Sequence, residues 1–347
     1  MARREVRQLT TEPAPGRVPA EPGRRRSVDE GVRGRTMTDS ATEETGDGAN
    51  PMNRDDELSP ELEDLGLRTY AAELADSGLT VVPPQVTGCS APSVRGLADL
   101  VLRRATEFIG CGFTLEGGPD ADLEYHPDAE PVNIVVRTGN RPKQVVIQRL
   151  ASYHRAFRDL AVHPVAVALA RHLIGEARTR FSHHQSFIKW QDESGYGSTL
   201  GLHADQTAVP EPWGRTAFVA NATWCLTDYT MEGGALAYVP GSHLRDGKPE
   251  GTEAALEAVP VEAEAGSLIV CHGATWHGAY PRKIPGLRLC VTNLYRHLMV
   301  TSQEDLRHSL DRSLADDCRN PELFRELAGF NDGFPYVTQR RPVRVVS

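Results

Sequence analysis

The chain has 347 residues, of which 39% are hydrophobic and 24% charged, a composition that can bury the core of a globular protein. Its formal net charge of −9 argues against a general nucleic-acid binder, because such a protein needs a basic surface to displace the counterions of the phosphates. Its apolar stretches are far shorter than the roughly 20 residues that cross a bilayer, so we expect no membrane span.

The first segment, residues 1–57, is rich in Arg, Glu, Pro, Gly, Ser and Thr and contains almost no large apolar side chains. Such a composition cannot offset the entropy of ordering, so we predict a disordered extension at 1–57 and a folded domain at 58–347. The segment has no apolar stretch typical of a secretory signal, and the six cysteines form no C-x-x-C pair. We therefore expect a cytoplasmic protein with reduced thiols, whose natural start is Met37 or Met52.

Helices are predicted in the first half of the folded domain. The first is capped by Ser59, because Pro60 follows at the first helical position. A second helix is predicted over residues 93–109, where apolar residues at helical spacing form one stripe. A third is predicted over Pro164–Ile174, ended by Gly175. The stripe of the second helix consists of Val94, Leu97, Ala98, Val101, Leu102, Ala105 and Phe108.

Between Arg180 and Tyr295 the pattern changes to short β-like runs that are broken by Gly and Pro. Several antiparallel strands downstream of helices predict a mainly β fold, namely a double-sheet jelly roll with flanking helices. Residues 303–327 then return to helical spacing. The predicted strands are residues 181–190, 218–226, 235–239, 266–271 and 288–295.

Three features point to chemistry. His203 and Asp205 are two residues apart, so in an extended segment an imidazole nitrogen and a carboxylate oxygen can meet one metal ion. Downstream, His277 can complete a face of two histidines and one carboxylate, which leaves positions open on iron(II). Arg288 begins the next β-like run, and its guanidinium group can bind a carboxylate of a dicarboxylic acid through two hydrogen bonds. Taken alone, the His-x-Asp triplet is unspecific.

In their order and spacing, these motifs and their neighbours resemble the phytanoyl-CoA dioxygenase family. Residues 75–83 are similar to the opening segment of that family, so the likeness extends over residues 62–295. The matching series is His203-x-Asp205, Leu226-Thr227-Asp228, Gly234-Ala235-Leu236, Val239-Pro240-Gly241-Ser242-His243, and His272-x-x-x-x-His277-Gly278 with Arg288.

The resemblance implies a double-stranded β-helix, a cupin-like jelly roll, and a 2-oxoglutarate-dependent non-haem iron dioxygenase. His203, Asp205 and His277 would bind Fe(II) as the catalytic centre, and Arg288 would hold the distal carboxylate of 2-oxoglutarate. The co-substrates would be 2-oxoglutarate and O2, and ascorbate would sustain activity. The expected reaction is hydroxylation of an unactivated C–H bond of a small metabolite or natural-product intermediate, with release of succinate and CO2. Desaturation, epoxidation and ring formation stay open as alternatives within the same chemistry.

Three further residues, Gln148, Ser186 and Thr223, fall where family members line the co-substrate pocket. The chain departs from the family pattern at two positions. Ala279 stands where many relatives have a serine that helps to hold the distal carboxylate, and Gln148 stands where some have a lysine. Both changes remove a donor or a charge, so we expect either weaker binding of the co-substrate or another donor in place of the serine.

Residues outside the triad have plainer interpretations. Trp213, in the loop after the metal pair, is the best candidate for a substrate contact. We expect His272 to lie in the interior of its strand and His243 to make a structural hydrogen bond in a turn. His183 and His184 face opposite ways along one strand, so one of them can reach the pocket.

Two other classes of function remain open. One is a metal-binding β-barrel module or sensor without catalysis, against which Arg288 argues, because such a module has no need to hold a dicarboxylate. The other is a zinc hydrolase with the same ligands, against which the absence of an obvious general base beside them argues. The partner is expected to be a small-molecule substrate, with neither nucleic acid nor membrane, and the sequence favours no particular oligomeric state.

Overall fold

The computed structural model describes residues 59–124, 137–138, 141–192 and 194–333. The predicted extension at residues 1–57, with Met37 and Met52, lies outside the described residues. Within the described part of the chain, no helix is both long and apolar enough to cross a membrane.

Thirteen strands are present in the described residues, and most are short. In chain order they are β1 (Leu79–Val82), β2 (Phe113–Thr114), β3 (Gly118–Pro119), β4 (Arg137–Thr138), β5 (Arg141–Pro142), β6 (Gln144–Ile147), β7 (Thr179–Lys189), β8 (Val219–Cys225), β9 (Leu236–Tyr238), β10 (Val259–Val261), β11 (Leu268–His272), β12 (His277–Ala279) and β13 (Arg288–His297).

Most of these strands form two antiparallel sheets. The main sheet has six strands in the order β1-β11-β8-β13-β7-β6, and the smaller sheet has three in the order β10-β9-β12. An isolated bridge between His203 and His277 adds one more extended segment beside β12. Strands that neighbour each other in space but not in sequence are typical of a jelly roll, so the predicted fold class is confirmed.

Helices cover one face of the main sheet. They are α1 (Pro60–Asp64), α2 (Arg68–Ser77), α3 (Pro84–Thr87), α4 (Ala91–Ile109), α5 (Leu150–Tyr153), α6 (Arg155–Ala161), α7 (Pro164–Ile174), α8 (Leu306–Ser309) and α9 (Pro321–Leu327). As predicted, Ser59 caps α1, with its Oγ accepting from the Leu62 amide, and α7 ends at Gly175.

The predicted stripe of α4 is buried except at its end. Val94, Val101 and Ala105 lie in the core with the rest of the stripe, but Phe108 is 74% exposed. The prediction was wrong for Phe108: in the last turn of α4, before the Gly110 cap, Ile109 packs against the core in its place. The helical spacing of residues 303–327 is likewise divided, between α8, a 3-10 turn at Arg312–Asp316, and α9.

Alternation along the strands separates two cores. Val291 of β13 packs with Leu169 of α7 in a large cluster on the helix side of the main sheet, which we call its outer face. The next residue back, Cys290, packs with Cys225 of β8 and Val261 of the smaller sheet. This second cluster therefore lies between the two sheets, on what we call the inner face.

Candidate active site

The two predicted histidine ligands face each other across a backbone bridge. The His203 amide donates to the His277 carbonyl at 2.9 Å, and the His277 amide donates back to the His203 carbonyl at 2.9 Å. Asp205 follows two residues after His203 and therefore points to the same side. One ligand atom from each of the three side chains lies within 4.8 Å of the others, so the structure brings the predicted triad together.

Both imidazoles are oriented by their second nitrogen. Nδ1 of His203 lies 2.9 Å from the Gly201 carbonyl oxygen, and Nδ1 of His277 lies 3.0 Å from the Thr275 carbonyl oxygen. Since a carbonyl only accepts, each Nδ1 carries a proton, and Nε2 is the nitrogen of each ring that can bind a metal. The two Nε2 atoms lie 3.7 Å from opposite oxygens of Asp205, which is the tautomer and geometry that a metal ligand requires.

Asp205 is held ionised by its neighbours. Burial alone would raise its pKa, but the nearby His277 and His203, together with a hydrogen bond from Asn221, lower it below its usual value. For His277, burial lowers the pKa by more than the carboxylate of Asp205 raises it, so its pKa lies below the ordinary histidine value. Two imidazoles and one carboxylate therefore fit a divalent cation such as iron(II).

The three side chains of the triad differ in their exposure. The His203 side chain is 55% exposed, whereas that of His277 is 7% exposed. Three protein ligands with one accessible side leave room on a metal for small molecules. A catalytic rather than purely structural metal site has this arrangement.

A polar chain on the inner face of the main sheet supports Asp205. The Asn221 amide donates to Asp205 Oδ2 at 2.8 Å, and the Thr223 hydroxyl donates to Asn221 Oδ1 at 2.9 Å. The Thr223 hydroxyl also lies 3.3 Å from that of Thr292 on β13. Thr223, which was predicted to line the pocket, thus orients the Asn221 amide. It reaches the triad through Asn221 rather than by direct contact.

Arg288 lies on the same inner face, because it is two residues from Cys290 along β13 and such residues point the same way. It is 5% exposed, and its guanidinium carbon lies 5.2 Å from the centre of the Tyr229 ring. Among the described residues, no carboxylate oxygen lies within 4.0 Å of its nitrogens, and its Nε has no hydrogen-bond partner. A buried guanidinium without an acceptor is costly, so this position calls for an anion.

The other two predicted pocket residues are placed differently. Gln148 follows β6 directly and is exposed; continued alternation from Gln144 gives it the inner side. Ser186 is opposite Val291 and so lies on the outer face, where its Oγ donates to the Cys290 carbonyl at 2.6 Å. The structure therefore does not bring Ser186 to the face that carries Arg288 and Thr223.

Trp213 is buried rather than turned to the open side of the triad. It is 4% exposed, packs with Ala204 and Ala274, and donates from Nε1 to the Val209 carbonyl at 2.9 Å. This tryptophan anchors the loop that follows Asp205, which differs from the substrate contact that the sequence suggested.

The remaining histidines largely match their plain interpretations. His272 is buried on β11, where its Nδ1 accepts from the Ala274 amide at 3.0 Å. His243 lies 3.2 Å from the Ala75 carbonyl oxygen through its Nε2, as a structural contact would. Neither belongs to the group of candidate metal ligands among the described residues.

Two inner-face residues of β7 were not identified from the sequence, which left open whether His183 or His184 reaches the pocket and gave no role to Lys189. The register places His183 opposite Leu294 and Lys189 opposite Arg288, so both share the face of Arg288. Burial lowers the pKa of His183 to about 4 although the charge of Asp205 opposes this shift. The available signal for Lys189 was its place after Phe187 and Ile188 at the end of a predicted strand, but its face depends on the pairing register.

A cavity of about 790 Å³ lies elsewhere, among residues 116–123, 141–143, 190–192 and 285–286. It contains none of the triad residues, and no cluster of candidate metal ligands among the described residues lines it. The candidate site is therefore assigned from the metal-ligand side chains of the triad and not from the volume of this cavity.

Comparison with solved structures finds the following similarities. The epimerase SnoN, in complex with Fe3+, alpha ketoglutarate and nogalamycin RO, is 22% identical, with a TM-score of 0.47, over 67% of this chain and 84% of that chain. The non-heme alpha ketoglutarate dependent carbocyclase SnoK from nogalamycin biosynthesis is 20% identical, with a TM-score of 0.48, over 66% and 83%. HygX from Streptomyces hygroscopicus, with nickel and 2-oxoglutarate bound, is 15% identical, with a TM-score of 0.48, over 68% and 89%.

Sequence comparison gives closer relatives over shorter stretches. Dioxygenase af480 of Aspergillus fumigatus is 34% identical over 140 residues, which are 39% of this chain and 43% of that protein. Uncharacterized protein Rv1501 of Mycobacterium tuberculosis is 34% identical over 110 residues, which are 32% and 40%. The chain thus spans less than half the length of these curated relatives.

The family model described as Phytanoyl-CoA dioxygenase (PhyH) matches residues 129–290. That range contains the triad, the Asn221 and Thr223 chain, and Arg288. The resemblance predicted from the motifs is therefore confirmed: residues 129–290 of this chain match the phytanoyl-CoA dioxygenase family.

Proposed function

We propose that this protein is an Fe(II)- and 2-oxoglutarate-dependent dioxygenase whose catalytic domain comprises residues 58–347. One observation carries the proposal. A triad with the donor set of iron(II) and a buried arginine without an anionic partner among the described residues share the space between the two sheets. An α-keto dicarboxylate is the ligand that serves both groups, because one end chelates a metal and the other pairs with a guanidinium group.

His203, Asp205 and His277 would hold the metal, through two Nε2 atoms and one carboxylate. Bound iron supplies the redox chemistry that couples decarboxylation of 2-oxoglutarate, to succinate and CO2, with oxidation of a substrate by O2. Arg288 would bind the distal carboxylate and so fix how the keto acid is presented. Asn221 holds the Asp205 carboxylate in place, and the two backbone carbonyls that accept from Nδ1 hold the rings.

The interior around Arg288 excludes water. Tyr229, Cys225 and Cys290 are buried there, so charge pairing takes place in a medium of low polarity and is stronger than at the surface. The substrate would approach from the side of His203, which is the exposed member of the triad. We expect this substrate to be a small metabolite or a natural-product intermediate.

We infer hydroxylation of an unactivated C–H bond as the reaction. Asp205 favours hydroxylation over chlorination, because a carboxylate at that position occupies the place that a halide ion would need. The match to the phytanoyl-CoA dioxygenase family and the similarity to a relative named a dioxygenase support oxygen chemistry over zinc hydrolysis.

Succinate release tests the proposal. Purified protein with iron(II), ascorbate and 2-oxoglutarate under air is expected to release succinate slowly, and His203→Ala and Arg288→Ala are expected to abolish this release. Arg68→Ala is the matched control, because Arg68 is 72% exposed in its side chain and far from the triad in sequence. Metal binding without any succinate from the wild type would favour a non-catalytic metal-binding module or sensor.

A further inference from the structure

Three polar side chains stand in a row across the main sheet. Gln144 of β6 pairs with Lys189 of β7, and Lys189 pairs with Arg288 of β13. Paired residues of antiparallel strands point to the same face, so all three lie on the inner face. All three are buried, with exposures of 2%, 0% and 5%. The row therefore places Lys189 directly beside Arg288, which has no carboxylate partner among the described residues.

The Lys189 ammonium group has unused donors. Its Nζ donates to the Tyr280 carbonyl at 2.8 Å and lies 5.2 Å from the centre of the Tyr196 ring. An ammonium group has three protons, and this carbonyl uses one of them. Within the described residues, no carboxylate oxygen lies within 4.0 Å of Nζ. A fully buried ammonium group without a carboxylate partner is costly, which indicates that this position has a function beyond packing.

Positive charge is in excess around Lys189. Burial and the neighbouring cations Arg288 and Arg282 together lower the pKa of Lys189 to about 7, against the opposing charge of Asp192. The Arg282 guanidinium donates to backbone carbonyls, among them those of Gly286 and Gly233. An anion bound between Lys189 and Arg288 would offset this repulsion.

We propose that Lys189 is a second cationic binding residue for the distal carboxylate of 2-oxoglutarate, beside Arg288. This inference rests on the proposed function and adds a residue to its co-substrate site. The flat guanidinium group of Arg288 fixes the plane of the carboxylate, and the ammonium group of Lys189 adds a point charge with free donors. Lys189 would then supply a hydrogen-bond donor in place of the serine that many relatives have at the position of Ala279. It would also supply a positive charge in place of the lysine that some have at the position of Gln148.

Two ligands separate this role from a structural one. 2-Oxopentanoate has the carbon chain of 2-oxoglutarate but no distal carboxylate, so Lys189 and Arg288 have nothing to pair with in it. Binding of each ligand to the nickel(II)-loaded, catalytically silent protein is measured by calorimetry. Lys189→Met is expected to weaken 2-oxoglutarate about tenfold to a hundredfold, the range for a lost charged hydrogen bond, and to leave 2-oxopentanoate unchanged.

The controls make each outcome decisive. Lys283→Met removes an exposed lysine, with a 49% exposed side chain, that pairs with Glu232, and is expected to change neither affinity. Lys189→Gln keeps a donor for the Tyr280 carbonyl and serves if the methionine variant does not fold; it is expected to show the same selective loss. Equal weakening of both ligands, or no weakening, in a folded Lys189 variant would overturn the inference. Failure of the wild type to bind 2-oxoglutarate at all would instead overturn the proposed function.

Discussion

At the scale of single residues, the site depends on groups that hold the ligands rather than on the ligands alone. Asn221 donates to Asp205, and Thr223 fixes the orientation of the Asn221 amide. Removing such supporting residues in metal sites usually lowers metal affinity about 10- to 100-fold. Asn221 and Thr223 are therefore expected to affect metal affinity although neither would bind the metal.

We predict that Asn221→Ala weakens iron(II) binding about 10- to 100-fold, because Asp205 loses the hydrogen bond that stabilises its ionised form. Thr223→Val, which frees the amide to rotate, is expected to have a smaller effect in the same direction. Competition with a chelator of known affinity, under anaerobic conditions, measures both. An Asn221→Ala protein that holds iron as tightly as the wild type would contradict the role of this chain.

Co-substrate binding should depend on pH through Lys189. Its pKa of about 7 in the free protein is set by burial and by Arg288, Asp192 and Arg282, and a bound carboxylate would raise it. Binding must then take up a proton above pH 7, so the affinity for 2-oxoglutarate is expected to fall as the pH rises through this value. The ratio of Kd values for Lys189→Met and wild type isolates the effect, since metal-ligand titration affects both proteins. A ratio that is independent of pH would contradict it.

The triad and Arg288 could be predicted because they belong to a motif series with fixed order. The placement of Ser186, His183 and Lys189 could not, because a strand alternates with period two and its face depends on which residue pairs with which. Ser186 is one residue away from the inner face, and only the register with β13 shows this. A single-residue difference of this kind is invisible without the partner strand.

At the scale of elements, a close approach of two segments positions the metal ligands. Gly278 of β12 lies beside the backbone before His203, and a Cβ atom there would overlap the Leu200 carbonyl oxygen and approach the Gly201 carbonyl carbon to 3.0 Å. The glycine that follows His277 in the motif is thus needed for space. It lets the segment that carries His203 pair with β12.

We predict that Gly278→Ala lowers metal affinity at least about tenfold, because the backbone that carries His203 must move away from His277 and small displacements in a site are costly. Gly96→Ala is the control, since Gly96 lies within α4 with open space around it. That variant is expected to retain metal affinity and to raise the free energy of unfolding by about 0.5–1 kcal/mol. Unchanged metal binding by Gly278→Ala would contradict this account of the bridge.

The long elements were predictable, whereas most of the short ones, with β9 and α1 as exceptions, were not. The helix Pro164–Ile174 matches its prediction, and β7, β8 and β13 match theirs to within two residues. By contrast β1, β6, β10 and β12 have three or four residues each, too few to show a period. Their conformation is fixed by pairing with neighbouring strands, which sequence patterns do not record.

At the scale of the whole molecule, every side chain assigned to the proposed site lies between residues 144 and 292. We therefore predict that a protein without residues 1–57 binds iron(II) and 2-oxoglutarate with Kd values within about twofold of the full chain, a difference worth less than about 0.5 kcal/mol. Calorimetry on both proteins measures this. A loss of binding on truncation would contradict the proposed domain boundary.

The central claim is that the triad and Arg288 hold the two ends of one molecule. Its most direct test is the Kd of 2-oxoglutarate, measured anaerobically with and without iron(II), for the wild type and for Arg288→Ala. The account predicts that metal strengthens binding in the wild type and that Arg288→Ala weakens the metal-dependent binding about tenfold or more. An affinity for 2-oxoglutarate that is the same with and without metal, or unchanged in Arg288→Ala, would contradict it.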